Sequence, residues 1–385
     1  MANDVTDRIR TLLAAAPVFD GHNDIAWALQ EKAGGNPDRR DLSQHQPDLH
    51  SDIGRWRTGG LGAQFFSVYV PGTLPPADAV VATLEQIDRV RRIVARYPDT
   101  FRAVRTADEV RAAIADDKIA ALMGAEGGHS IASSLGVLRC LRALGVTYLT
   151  LTHNQNTPWA DAATDQPAVG GLSEFGRQVV AEMNRIGMLV DISHVAPVTM
   201  RAALEASRAP VIFSHSSCRA LCDHVRNAPD DVLTALAEAD GVIMISFVPP
   251  FVSQECADHW AAEQAERSRL GLAGDDESDD RTAARAALEA WRRDHPTPRA
   301  TLTQVADHVD HAREVAGIAH VGLGSDFDGV DTLPEGLTDV SCYPNLLAEL
   351  AGRGWSDADL AALTSGNILR VLRAAETIAD PGFGA

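Results

Sequence analysis

The sequence predicts an α/β fold: a parallel (β/α)8 barrel of the TIM type, with a metal site at the C-terminal ends of its strands. Three observations lead there. Eight short apolar runs alternate with helical patterns along the 385 residues. Most of the runs are rich in Val, Ile, Leu, Phe and Thr, as parallel strands buried on both faces are. Residues able to bind metals recur at the ends of these runs, where such a barrel gathers its functional side chains. A doubly wound open sheet is the competing architecture, and the count of eight favours the barrel.

The runs fall at 17–22, 61–70, 118–124, 146–152, 187–194, 209–215, 241–247 and 320–326. Helical patterns fill the gaps. In 77–96, Val80, Leu84, Ile87, Val90 and Val94 recur at spacings of three and four, one face of a helix. A second helix at 135–144 follows Ser133 and Ser134, residues suited to capping it. Further helices are read at 174–186, 197–207, 229–239 and 302–315, and two more within 345–377 close the outer ring. Two stretches break the repeat. Residues 31–60 are polar and read as a long loop over one mouth of the barrel. Residues 255–298 are charge-dense and read as a helical insertion before the eighth strand, with an acidic tip, GDDESDDR, at 274–281. No linker or repeat marks a boundary, so residues 1–385 are read as one barrel domain.

Composition narrows the function. Lys plus Arg is 34 and Asp plus Glu is 53, a net charge of −19. That field repels nucleic acid and anionic membrane surfaces. Cys140, Cys218, Cys222, Cys256 and Cys342 are too few and odd in number for a disulfide scaffold, and read as free thiols. The first apolar run, LLAAAPV, is short and broken by Pro17, which argues against a secretory signal. The expected location is therefore cytoplasmic. The expected partners are a small-molecule substrate and, at most, a second copy of the chain as a homodimer, with no nucleic acid and no membrane.

The chemistry is concentrated at the strand ends. The first run closes with His22 and Asp24, two apart and so on one side of an extended segment. The third closes with Glu126, the fourth with His153, the fifth with His194, the sixth with His215 and the eighth with Asp326. A lone histidine at a strand end is ordinarily a satisfied polar residue. Six of eight strands ending in metal-competent residues point to a metal site. Imidazoles with carboxylates and no well-placed thiolate suit zinc or manganese, and three imidazoles favour zinc. Five ligands exceed one tetrahedral ion, whereas two ions sharing a carboxylate would use them all.

The ordered motifs FDGHNDIAW, GAEGGHS, LTHN, DISH, FSHSS, HVRN and GSDFDG resemble the membrane (renal-type) dipeptidase family of the amidohydrolase superfamily. The resemblance runs from about Pro17 to Arg373. It implies a binuclear zinc dipeptidase. One zinc would bind His22, Asp24 and a bridging Glu126, and the other Glu126, His194 and His215. His153 would face the scissile carbonyl, Arg226 would take the substrate carboxylate, and Asp326 would handle protons. The resemblance also suggests L-Xaa-D-Xaa dipeptides as substrates. The residues agree about the bridge: the only lysines, Lys32 and Lys118, are not placed to supply a carboxylated one. In such a site two ions acidify a shared water, and the resulting hydroxide attacks the peptide carbonyl. His153 donates to the oxyanion, Asp326 carries the proton, and Arg226 grips a free C-terminus as a fork. Another binuclear amidohydrolase (a deaminase, or a cyclic-amide or β-lactam hydrolase) and a non-catalytic barrel are the alternatives.

Other residues have plainer readings. His129, His45, His50, His259 and His295 read as structural or solvated, and His308 and His311 as solvated on the polar face of their helix. His224 could support Arg226. Asp20 and Asp191 could orient ligand histidines. Gly322 and Gly324 could leave space beneath Asp326. Asp328 reads as a turn former, and Trp27 and Trp159 as packing or pocket wall.

Overall fold

The computed structural model describes residues 2–272 and 281–382. All of the acidic tip except Arg281 lies outside them. Nine parallel strands are present: β1 (Val18–Asn23), β2 (Leu61–Tyr69), β3 (Phe101–Ala103), β4 (Ile119–Glu126), β5 (Val146–Thr150), β6 (Leu189–Asp191), β7 (Ile212–Ser216), β8 (Val242–Ile245) and β9 (Val321–Leu323). Eight of them close a barrel in the order β1, β2, β4, β5, β6, β7, β8, β9, with β9 returning to β1. Each matches one of the eight expected runs. β3 extends the sheet beside the start of β4; three residues carry too little pattern to be read.

The pleat sorts alternate strand residues into two cores. Ala63, Phe65, Ala120, Leu122, Tyr148, Leu189, Ile212, Val242 and Met244 belong to one apolar cluster. Their neighbours Phe66, Ala121, Met123, Leu149, Val190, Phe213, Ile243 and Ile245 belong to another, shared with the surrounding helices. The first fills the barrel, as successive side chains point to opposite faces. The helices sit in the crossovers as expected, among them Pro76–Arg96, Leu135–Ala143 capped by the Ser134 hydroxyl, and Glu174–Arg185 capped by Ser173. No helix among the described residues is long and apolar enough to cross a membrane.

Several expectations need correction. The stretch 31–60 is not simply a loop. It holds a helix at Ile53–Thr58, started by Asp52, whose carboxylate accepts the Arg55 amide, and a turn of 3-10 helix at Pro37–Arg39 started by Asn36. These side-chain caps start short helices in a polar stretch, and Trp56 anchors the second of them in the core against Phe66 and Phe101. His308 is not solvated. It is 1% exposed, accepts the Cys218 amide at 3.0 Å through Nδ1, and its Nε2 lies 3.3 Å from the Val252 carbonyl. The insertion helices Gln254–Arg269 and Thr282–Asp294 precede its own helix, Leu302–Ala316, in the same crossover.

Two strand seams are thin. β1 pairs with β9, and β6 with β7, through one residue pair each. At both, an aspartate stitches the gap. Asp20 accepts the Ser325 amide and hydroxyl, each at 2.7 Å, and also bonds Gln64 and Tyr343. Asp191 accepts the Ser214 amide at 2.9 Å and hydroxyl at 2.7 Å, and the Thr150 hydroxyl at 2.6 Å.

The strand glycines are explained by close approach. A Cβ on Gly324 would lie 1.9 Å from the Ser214 carbonyl oxygen, so this glycine admits a neighbouring backbone rather than clearing space beneath Asp326. Gly322 faces Met244, and the glycine beside the Asp326 carboxylate is Gly329. Gly324→Ala should therefore destabilise the chain by about 1–3 kcal/mol or more. Gly352→Ala, where a Cβ meets nothing within 4 Å at a helix end, should be neutral or stabilising. Thermal melts of the two variants beside the parent check this contrast.

Candidate metal centre

Seven side chains anticipated from the sequence converge on one buried point. Glu126, the last residue of β4, lies at its middle. Its Oε1 is 2.9 Å from His194 Nε2, 3.5 Å from His215 Nε2 and 3.8 Å from His153 Nε2. Its Oε2 is 3.4 Å from His22 Nε2 and accepts the Ser67 hydroxyl at 3.1 Å. His22 Nε2 lies 3.0 Å from Asp24 Oδ2. Three overlapping groups could each hold an ion: His22, Glu126 and His215; Glu126, His153 and His194; and His22, Asp24 and Asp326. The ligand set read from the sequence is all present. The grouping differs from that reading: His215 falls with His22 and Glu126, His153 joins Glu126 and His194, and Asp24 falls with His22 and Asp326.

The donor set fits metal ions. His22 Nε2 approaches Asp24 and Glu126 without the geometry of a hydrogen bond to either, and Asp24 Oδ1 is buried without a hydrogen-bond partner. Asp24 occupies the N-cap position of Ile25–Ala33 yet makes no capping bond, so its carboxylate serves the cluster instead. The Nε2 atoms of His194 and His215 face each other at 3.0 Å. Burial holds both imidazoles well below their usual pKa and hence neutral, the form that ligates. Burial works to raise Glu126, but His22 and His194 hold it well below the usual carboxylate range. Three carboxylates with four histidines in a dry pocket call for cations.

Backbone geometry aims these groups. His194 and Asp326 adopt φ of 66° and 68°, left-handed conformations that only a surrounding framework maintains in residues other than glycine. The Asp326 amide bonds the His22 carbonyl, and the Asp24 amide bonds the Phe327 carbonyl. Asp326 is thus locked to the end of β1. Burial, with Asp24 and Glu126 beside it, pushes its carboxyl up to about 8.

Sequence reasoning missed the groups that hold the ligands. Tyr148 Oη is 2.8 Å from His22 Nδ1, and a Cβ on Gly124 would collide with the Tyr148 ring. Ser214 Oγ is 2.8 Å from His215 Nδ1 and passes that tie to Asp191. Asp191 therefore orients a ligand histidine indirectly, while Asp20 touches none. The available signal was an aromatic hydroxyl and a serine inside otherwise apolar strands. Trp159 is buried against Gly128, and Trp27 stands edge-on to Tyr69, which packs on His153. His129 Nε2 is tied to the Val70 carbonyl. Cys218 and Cys222 are free and buried.

Arg226 completes the pocket. It is 3% exposed, with Nη2 3.5 Å from the His215 carbonyl and its guanidinium over the Phe251 ring. Nη1 has no partner, and no carboxylate pairs with Arg226 among the described residues. Burial pulls its pKa down to about 10, against the pull of Asp326 and Glu126. Its amide bonds His224 Nδ1, and the His224 ring lies between Phe251 and Trp260 of the insertion.

Residues 6–382 match the family described as Membrane dipeptidase (Peptidase family M19). Dipeptidase 3 of Rattus norvegicus is 38% identical over 379 residues, covering 97% of this chain and 68% of that one. Among solved structures, the probable dipeptidase PvdM from Pseudomonas aeruginosa superposes with a TM-score of 0.83 at 24% identity, over 98% of this chain and 100% of that one, a likeness of fold. A metallo peptidase from Rhodobacter sphaeroides, liganded with a phosphinate mimic of the dipeptide L-Ala-D-Ala, superposes with a TM-score of 0.75 at 25% identity, over 94% of this chain and 99% of that one.

Partners of a ligating histidine tune metal affinity by about 10–100-fold. Tyr148→Phe removes the hydroxyl from His22 Nδ1 while keeping the ring, so affinity for an added divalent metal ion should fall by that order. Competition against a chromophoric chelator measures it.

Proposed function

The chain belongs to the membrane dipeptidase family, peptidase family M19, and is a peptide-bond hydrolase. On that premise we propose that it cleaves dipeptides with a free C-terminal carboxylate, L-Xaa-D-Xaa dipeptides among them, using two zinc ions gathered around Glu126. One observation carries the choice of substrate: a buried arginine, unpaired at Nη1, beside the metal ligands. A buried charge without a partner is costly, and a substrate carboxylate would relieve that cost. The L,D preference draws on the L-Ala-D-Ala mimic held by the Rhodobacter sphaeroides relative.

His22, Asp24, Glu126, His194 and His215 would hold the zinc ions, which would supply Lewis acidity and lower the pKa of a nearby water. The remaining steps belong to the protein. His153 is pulled down to about 4 by burial, so it is neutral at pH 7 and retains one N–H to donate to the developing oxyanion. Asp326 takes the proton of the attacking water and delivers it to the leaving amine. A nearby cation favours its ionised form, bringing its pKa down from about 8 into the range of a base at neutral pH. Arg226 binds the carboxylate as a fork and fixes the peptide's register on the site. A deaminase or simple cyclic-amide substrate offers that guanidinium no anion.

A library of L,L- and L,D-dipeptides with their C-terminal amides tests this reading. Arg226→Ala should lower kcat/KM for free dipeptides by about 10- to 150-fold, corresponding to roughly 1.5–3 kcal/mol for a charged hydrogen bond. Amidation should harm the parent enzyme similarly and Arg226→Ala hardly further. Amide and mutation multiplying as independent losses would remove Arg226 from carboxylate binding. Asp326→Asn should keep about two zinc ions per chain by elemental analysis and lose at least about 10²-fold in kcat.

A further inference from the structure

The polar stretch before β2 meets the loop after β9 at His50. His50 and Asp328 form a reciprocal pair. The His50 amide donates to Asp328 Oδ1 at 2.7 Å, and the Asp328 amide donates to His50 Nδ1 at 3.0 Å. Asp328 has φ of 66°, and Asp326, two residues earlier, has φ of 68°. The loop after β9 thus holds two left-handed aspartates about Phe327, and His50 closes a hydrogen-bonded ring on the second. The same segment is fixed on its other sides. Ser51 Oγ accepts from Asn23 Nδ2 at 2.9 Å, the His50 carbonyl accepts the Val340 amide at 3.2 Å, and the His50 ring meets Phe327 edge-on.

We propose that His50 is a positioning residue for Asp326, with the segment around it serving as an external brace on the loop that presents the proton-carrying carboxylate. The inference rests on the role proposed above for Asp326. A left-handed conformation is unfavourable in a residue other than glycine and persists only under constraint. On the inner side, bonds to β1 constrain Asp326 and Phe327. On the outer side, the reciprocal pair constrains Asp328. Without the Nδ1 acceptor the Asp328 amide loses its partner, and the turn can relax by the fraction of an ångström that matters for proton transfer. His50 does not touch the metal ligands in any hydrogen bond of the structure, so its loss should leave their number intact.

The test uses two substitutions in the full chain. His50→Ala removes the ring, and His50→Phe keeps a ring against Phe327 while deleting the acceptor, which guards against simple misfolding. In both, kcat should fall by roughly 10- to 100-fold, the order of effect expected from a displaced catalytic group. KM for a dipeptide and zinc content by elemental analysis should stay at parent values. His50→Asn, whose Oδ1 can accept from the Asp328 amide, should recover most of kcat. Added to Asp326→Asn, His50→Phe should cost no more than about a further two-fold, since coupled residues are not additive. Parent-like kcat in His50→Phe would overturn the inference. So would loss of zinc, a rise in KM that accounts for the defect, or multiplicative losses in the double variant. Parent-like kcat in Asp326→Asn would instead overturn the role of Asp326 itself, so the two failures are told apart.

Discussion

The Glu126 carboxylate is the constraint around which the site is arranged. It lies in a dry pocket with Asp24 and Asp326 close by, and four imidazoles turn their Nε2 atoms toward it or toward Asp24. Gathering three carboxylates in low dielectric is unfavourable unless cations answer them. Within the described protein, Arg226 lies beside the His215 carbonyl rather than paired with a carboxylate, and, against the pull of burial, His22 is held well above its usual pKa by Tyr148, Glu126 and Asp24. Bound metal ions would supply the remaining positive charge. The barrel's contribution is to make so unfavourable a cluster geometrically unavoidable, by delivering each group from a different strand end.

Much of this was legible in the sequence because the fold converts position along the chain into position in space. Once eight runs are counted, the ends of the runs must share one face, and His22, Asp24, Glu126, His153, His194, His215 and Asp326 become neighbours by topology. What stayed hidden were pairings between segments with no periodicity. Tyr148 and Ser214 sit inside strands, where their hydroxyls read as tolerated exceptions to an apolar run. His308 carries a polar label on its helix, and only its contacts with Cys218 and Val252, from other segments, explain its burial. The helix Ile53–Thr58 and the strand β3 are too short to show a period. Glycines misled for a related reason: Gly324 was read against its own strand, while the atom it accommodates belongs to Ser214 on another.

Substrate recognition and metal binding are built from different materials. The metal ligands lie at strand ends and are held by bonds among strands. Arg226 lies beyond β7, and its supports are Phe251, His224 and, through His224, Trp260 of the insertion, which is 40% exposed. The carboxylate grip is thus coupled to the helical insertion between β8 and β9, and the hydrolytic centre is not. On the role proposed for Arg226, sequence change in the insertion should alter which peptides are accepted without disturbing the proposed metal ligands.

The seams at Asp20 and Asp191 divide the barrel into unequal sectors. One contains β1, β2, β4, β5 and β6, and the other β7, β8 and β9. Within each sector most neighbouring strands share several residue pairs; across the two boundaries the strands share one, supplemented by a carboxylate and by a few backbone bonds beyond the strand ends. Side-chain acceptors of this kind open without unzipping a run of amides. The cylinder consequently has two parting lines, and its slow breathing should follow sectors rather than single strands. The ligands are distributed across those lines: His22, Asp24, Glu126, His153 and His194 belong to the larger sector, His215 and Asp326 to the end of the smaller one. Bound metal would act as a rivet through both, making the closed cylinder and the filled site one cooperative unit.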